Sequence, residues 1–142
     1  MTISEQGLNL IKRYEGCVLK AYRCPAGVLT IGYGHTGGVR DSQVITRQEA
    51  DEYLKRDVKV AETCISTAIQ GRLSQNQFDA LCSFIFNVGC GNFLRSTLLK
   101  KIKVNPSDPA IRAEFAKWVH AKNVVLPGLV KRRKEEAELY FR

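Results

Sequence analysis

The segment from Glu15 to Thr30 carries three side chains that could act together in a reaction. Glu15 is an acid, Cys24 a thiol and Thr30 a hydroxyl, and a proline-containing turn at residues 25–27 separates the last two. Hydrolysis of a glycosidic bond needs a proton donor for the leaving oxygen and a base or stabilising group on the other side of the sugar. Glu15 could be the donor, and the segment after it could supply the second group. Taken alone, however, a Glu-Gly pair is usually a helix end and a threonine among apolar residues is usually a strand residue.

The sequence places Glu15 at the C-terminal end of a helix. Ser4 can cap this helix, Leu8 and Ile11 recur on one side of it, and Gly16 ends it. The negative end of the helix dipole opposes the ionisation of a carboxylate at that place, which favours a proton donor.

The elements around this segment are a small β region, a long helix and several shorter helices. β-forming residues between turn residues predict a hairpin or a three-stranded sheet over residues 17–36. Capping boxes at Thr46 and Ser74 predict two helix starts, and the first of these helices should end near Gly71. Further helices are predicted over residues 93–104, 109–120 and 129–140. No repeat or linker divides the chain, so we expect the functional site in a cleft between a small lobe and a helical lobe.

The five cysteines fit no metal-ligand spacing, because no CxxC pair occurs and the two histidines are far apart. We therefore expect reduced thiols and no metal or cofactor. Cys64 and Cys82 fall on apolar helical positions and should be buried and inert. A redox-regulated disulfide between Cys17 and Cys24 is a minor alternative, because the two residues could face each other across the hairpin.

A net charge of +8 predicts an anionic partner, whether nucleic acid, membrane or bacterial envelope. The basic run at residues 131–134 precedes three glutamates, which predicts a solvated helix face with charge pairs. No aromatic-interleaved basic motif supports a nucleic-acid-binding domain, so that hypothesis rests on charge alone. The run Gly32–Gly38 lacks the ending of a phosphate-binding loop. We expect no transmembrane segment and no signal peptide, since no apolar run approaches about 18 residues and the first residues lack a signal layout.

Several motifs together resemble the phage-type lysozymes, the endolysins of glycoside hydrolase family 24. They are Glu15-Gly16, Ala21-Tyr22, Pro25-Ala26-Gly27, Thr30-Ile31-Gly32-Tyr33-Gly34-His35-Thr36, Ser74 to Asn87, Asn87-Val88-Gly89, Ser96-Thr97-Leu98-Leu99 and Leu126-Pro127-Gly128-Leu129. They cover essentially the whole chain in order and spacing. The resemblance implies an α+β, lysozyme-like fold in one domain, residues 1–142. A small β-hairpin lobe, about residues 15–70, would be joined by the long helix to a mostly helical lobe made of residues 1–14 and 71–142.

The resemblance also implies a function: a monomeric muramidase that hydrolyses the β-1,4 bond between N-acetylmuramic acid and N-acetylglucosamine in peptidoglycan. The protein would wait in the host cytoplasm until a holin opens the membrane. A catalytically impaired module that binds peptidoglycan is the alternative.

Carried over by position, the resemblance makes Glu15 the general acid and gives Thr30 a role in positioning water. Cys24 stands where the family usually has an aspartate. The implied substrate-binding residues are His35, Asn87 and Ser96, with packing of the small lobe as the alternative for His35. Because an unperturbed thiol is only about 3% ionised at pH 7, Cys24 would need its pKa lowered, and we expect nearby cations such as Arg23 or His35 to do this.

Overall fold

The computed structural model describes residues 1–142 and contains seven helices and two short antiparallel hairpins. In chain order the elements are α1 (Glu5–Glu15), β1 (Val18–Arg23), β2 (Leu29–Gly32), α2 (Arg47–Ala68), α3 (Gln75–Val88), α4 (Cys90–Leu94), α5 (Thr97–Val104), α6 (Ile111–Ala116), β3 (His120–Ala121), β4 (Val124–Val125) and α7 (Pro127–Tyr140). The expected α+β class is confirmed. None of the helices combines the length and the apolar character needed to cross a bilayer.

The predicted β region is a two-stranded hairpin. β1 and β2 pair antiparallel, with Tyr22 opposite Thr30 and Arg23 opposite Leu29. Gly27 takes φ +80° in the turn, a conformation that favours glycine. After β2 the chain turns back, and Ile31 and His35 form an isolated antiparallel bridge. This turn brings the glycine-rich run next to the end of α1.

The predicted helix starts are confirmed where side-chain capping defines them. Ser4 caps α1 by accepting from the backbone N–H of Gly7, and Gly16 ends the helix with φ +67°. Both capping boxes are formed, Thr46 with Glu49 and Ser74 with Gln77. Glu15 is therefore the last residue of α1, as the sequence predicts.

Two separate hydrophobic clusters stabilise the fold. A cluster of 21 buried residues lies among the helices, and a cluster of eight lies beneath the hairpin. The long helix α2 belongs to both: Leu54 and Val58 pack in the smaller cluster, while Ala61 and Ile65 pack in the larger one. The boundaries expected for the two lobes at residues 15 and 70 stay a prediction.

Some helices of the second half differ from the prediction. The expected helix over residues 93–104 is two helices, because Ser96 adopts an extended backbone and caps α5. The helix expected over residues 109–120 occupies only Ile111–Ala116, and the chain then enters the β3–β4 hairpin. Pro127 begins α7, two residues before the predicted start, where its fixed φ suits the first turn.

The expectation that all five cysteines are reduced thiols is wrong for two of them. Cys64 of α2 and Cys90 of α4 form a disulfide, with their Cα atoms 6.0 Å apart. Cys17, Cys24 and Cys82 are free, so the structure does not contain the alternative Cys17–Cys24 bond. Cys82 is fully buried as predicted, and its burial raises the pKa of its thiol.

Candidate active site

A cavity of about 410 Å³ opens between the hairpin side of the molecule and the large helical cluster. The end of α1 contributes Glu15, the turn after β2 contributes residues 34–37, and α2 contributes Asp57 and Val60. Residues 85, 86, 89 and 90, from the end of α3 and the start of α4, complete the wall. A carboxylate at the junction of these elements can meet a ligand that enters from solvent.

Glu15 is held in this cavity by an ion pair. Its Oε2 atom accepts a hydrogen bond from Nη1 of Arg132 at 2.6 Å, and its side chain is 22% exposed. Gly34 lies opposite, where a Cβ atom would come 3.6 Å from the other carboxylate oxygen. With φ +82°, that position favours glycine and lets the turn pass close to the acid.

Arg132 is fixed by buried partners on its other side. Its Nε donates to Oε2 of Glu136 at 3.2 Å, and its Nη2 donates to the carbonyl of Ser83 at 3.1 Å. The guanidinium group also lies over the ring of Tyr14, 5.6 Å from the centroid. The cation therefore has a defined position toward Glu15.

Behind Arg132, Glu136 is completely buried and accepts several hydrogen bonds. The Ser83 hydroxyl donates to its Oε2 atom at 2.6 Å, and Nη1 of Arg133 donates to its Oε1 atom. Burial raises the pKa of the Glu136 carboxyl, while the two guanidinium groups and Ser83 act in the opposite direction by stabilising the carboxylate. Only donors face this group, so it is bound as an ionised acceptor.

The prediction that the basic run at residues 131–134 is a solvated face is therefore wrong for its two central residues. Arg132 and Arg133 are 3% and 1% exposed, whereas Lys131 and Lys134 are exposed. A helical stripe through Arg133, Ala137 and Tyr140 was present in the sequence and would have placed Arg133 inward. The sequence did not indicate the burial of Arg132 and Glu136, because charged residues are almost never fully buried unless they are paired.

Cys24 and Thr30 come together at the hairpin turn, outside the lining of the Glu15 cavity. Hydrogen bonds from the backbones of Val28 and Ala26 lower the pKa of the Cys24 thiol, and the Thr30 hydroxyl contributes in the same direction. Thr30 also donates to the carbonyl of Val28 at 2.9 Å. Its one proton can serve only one of these two acceptors at a time.

The expected direction of the Cys24 pKa shift is confirmed, but its expected cause is wrong. Arg23 donates to the carbonyl of Gly27 at 2.9 Å, and His35 is bound to other groups. The thiolate is stabilised by backbone N–H groups of the turn instead, which the sequence did not indicate.

His35 lies in the cavity wall, but protein atoms occupy both of its ring nitrogens. Nδ1 lies 2.8 Å from a carboxylate oxygen of Asp57, and Nε2 lies 2.8 Å from the carbonyl of Gly37. Its ring stacks on Tyr53 with centroids 4.4 Å apart. These contacts attach the turn after β2 to α2, so His35 can position the wall of the site.

The other two predicted substrate residues lie elsewhere. Asn87 accepts from Nη2 of Arg133 and lines a second cavity, of about 490 Å³, with Trp118 and His120. Ser96 is 3% exposed, and its hydroxyl donates to the carbonyl of Phe93 and accepts from the backbone N–H of Leu99. The assignment of Ser96 to the substrate is corrected: its hydroxyl caps α5.

Comparisons with known proteins agree over the whole chain. The sequence pattern of the phage lysozyme family matches residues 12–136. The chain is 49% identical to an endolysin of Acyrthosiphon pisum secondary endosymbiont phage 1, over 99% of this chain and 98% of that protein. A lysozyme mutant of phage P22 superposes with a TM-score of 0.90 at 38% identity, over 100% of this chain and 99% of that one. The muramidase domain of SpmX from Asticaccaulis excentricus superposes with a TM-score of 0.93 at 32% identity, over 99% of this chain and 98% of that domain.

Proposed function

The chain belongs to the phage lysozyme family, and from that membership we propose that Glu15, Cys24 and Thr30 form its catalytic set. The protein is an endolysin muramidase, a glycoside hydrolase with a lysozyme-like fold. This identity favours an active enzyme over the alternative of a catalytically impaired binding module. It also favours the enzyme over a nucleic-acid-binding domain, which only the net charge supported.

In the proposed mechanism Glu15 is the general acid. Its carboxyl proton passes to the glycosidic oxygen of the β-1,4 bond as the bond from that oxygen to the anomeric carbon breaks. On the other side of the sugar, the Cys24 thiolate accepts a proton from a water molecule whose oxygen attacks the anomeric carbon. Thr30 orients that water through its hydroxyl. The products are two shorter glycan chains, with inversion at the anomeric carbon.

The observation that carries this proposal is the different environment of the two groups. Glu15 ends a helix inside the cleft, held by Arg132 at 2.6 Å, whereas Cys24 lies in a turn whose hydrogen bonds lower its thiol pKa. Glu15 is thus placed to meet a glycan in the cleft, and the lowered pKa of the Cys24 thiol favours the thiolate that a base requires. His35 supports the set by fixing the cavity wall, and Asn87 in the neighbouring cavity supplies a polar contact for the glycan.

The substrate is peptidoglycan, and the net charge of +8 suits approach to an anionic envelope. This attraction weakens as salt shortens the range of electrostatic forces, so lysis should be fastest at low ionic strength. The protein acts as a monomer. It is released from the host cytoplasm by a holin, and co-expression with and without a holin would test this release.

Clearance of chloroform-permeabilised Gram-negative cells tests the catalytic set. The reduced wild type should lyse these cells, Glu15→Gln should not, and Cys24→Ser should be severely impaired. Cys24→Asp is the matched variant, because it restores a carboxylate at the position and should retain lysis. A fully active Glu15→Gln or Cys24→Ser variant contradicts the proposed set. A separate analysis of the product anomer distinguishes inversion from retention through a thioglycosyl intermediate.

A further inference from the structure

Glu15, Arg132, Glu136 and Arg133 form one continuous chain of ion pairs from the cleft into the helical core. The side chains are 22%, 4%, 0% and 1% exposed in that order, so only Glu15 reaches solvent. Two carboxylates and two guanidinium groups give no net charge when all four are ionised. The inner acid is thus linked to the proposed proton donor through a single cation.

We propose that Glu136 is a positioning residue for the proton donor: it fixes Arg132 in the cleft wall and offsets the charge that Arg132 directs at Glu15. The inference rests on the proposed role of Glu15 as the general acid. An opposite charge within hydrogen-bond distance stabilises an ionised carboxylate, and an ionised Glu15 has no proton to give. Because Glu136 pairs with the same guanidinium group on its buried side, it reduces the stabilisation of ionised Glu15 by Arg132.

Stability alone gives little reason for such a cluster. Burying charged groups costs free energy that their mutual attraction only partly returns, and apolar side chains of similar size often serve as well. Of the four charged side chains in this cluster, only Glu15, the proposed acid, reaches the surface. The hydrogen bond from Arg132 to Ser83 and the one from Ser83 to Glu136 add directional control of the guanidinium plane.

Other titratable groups face the same cavity and must be kept constant in a test. His35 approaches from the turn after β2, and Asp57 approaches from α2, where the two are paired with each other. The Tyr14 hydroxyl, beside Glu15 in the chain, is directed away to Glu135. None of these groups belongs to the ion-pair chain, but burial, the hydrogen bond with Glu135 and the nearby charge of Glu136 raise the pKa of the Tyr14 hydroxyl. A titration that observes the Glu15 carboxyl itself therefore separates its shift from a change at Tyr14.

The test measures the pH profile of kcat/KM on purified peptidoglycan for Glu136→Gln, Arg133→Gln and the double variant. Removing the negative charge of Glu136 should stabilise ionised Glu15 and move the alkaline limb to lower pH by about one unit. Arg133→Gln removes a positive charge and should move the limb to higher pH. The charge-balanced double variant should return it toward the wild-type position.

Glu138→Gln is the matched control, because it makes the same change at an exposed position of α7 and should leave the limb in place. A direct carbon-13 titration of the Glu15 carboxyl, assigned with Glu15→Gln, should show the same shifts without any turnover. If the limb and the titration stay fixed in folded variants, the inference is overturned. If Glu136→Gln fails to fold, Arg133→Gln and the double variant decide the question by the same criterion.

The two proposals fail in different ways. If Glu15→Gln remains fully active, the proposed role of Glu15 is wrong whatever the other variants do. If Glu15→Gln is inactive but the alkaline limb of the pH profile does not move in the Glu136 and Arg133 variants, Glu15 remains the acid. In that case only the proposed role of Glu136 is wrong.

Discussion

Reducing the Cys64–Cys90 disulfide should lower the stability of the protein by a measurable amount. The bond closes a loop between residues separated by 26 positions and joins α2 to α4. In the chain-entropy description, a cross-link across a loop of this length restricts the unfolded chain and contributes roughly 3.5 kcal/mol at 25 °C. For a chain of this size the corresponding decrease in melting temperature is about 10 °C.

The assay is thermal unfolding followed by circular dichroism, with and without a reductant, after thiol titration has verified the redox state. The titration should rise from three free thiols to five as the Cys64–Cys90 bond opens. The double variant Cys64→Ala with Cys90→Ala is the control, and its melting temperature should not respond to the reductant. An unchanged melting temperature in fully reduced wild type would refute the reasoning, as would an equal decrease in the double variant.

Three further changes test other parts of the structure. The Cys24 thiol should react with iodoacetamide with a midpoint below its ordinary pKa of 9.0, because turn N–H groups stabilise the thiolate; a midpoint of 9.0 or above in a Cys17→Ala background would contradict this. Ser96→Ala should lower the free energy of unfolding by about 1 kcal/mol in denaturant titration while kcat/KM stays at the wild-type value, since the hydroxyl caps α5; a selective loss of activity would restore it to the substrate site. Lysines paired with Glu114 hold the pKa of its carboxyl below 4.5. The contribution of Glu114 to the free energy of unfolding is therefore present above pH 4.5 and is lost as the pH falls through the lowered pKa. Glu114→Gln should flatten this pH dependence of stability, and an unchanged dependence would contradict the assignment.

Sequence patterns predicted the features that depend on local chemistry. Ser4, Thr46 and Ser74 start helices because their side chains satisfy the first backbone N–H groups, and this requirement is visible in a few neighbouring residues. The place of Glu15 at a helix end and the pairing of β1 with β2 followed from the same kind of signal.

Features that depend on distant contacts were not predictable in this way. Arg132 and Glu136 have the spacing of a surface charge pair, and only the packing of α7 against α3 buries them. Cys64 and Cys90 have no local signature, because the fold alone brings their Cα atoms to 6.0 Å. Ser96 matched a family motif, yet its hydroxyl is used by the helix that follows.

The division of α2 between two hydrophobic clusters has a consequence for how such a protein can diverge. Cys24 and Thr30 lie on the hairpin above the smaller cluster, whereas the partners that hold Glu15 project from α7 in the larger one. Mutations that repack one cluster at positions outside the shared helices α1 and α2 can therefore leave the geometry of the other cluster in place. Selection can then vary position 24, where this chain has a cysteine, without rebuilding the contacts that hold Glu15.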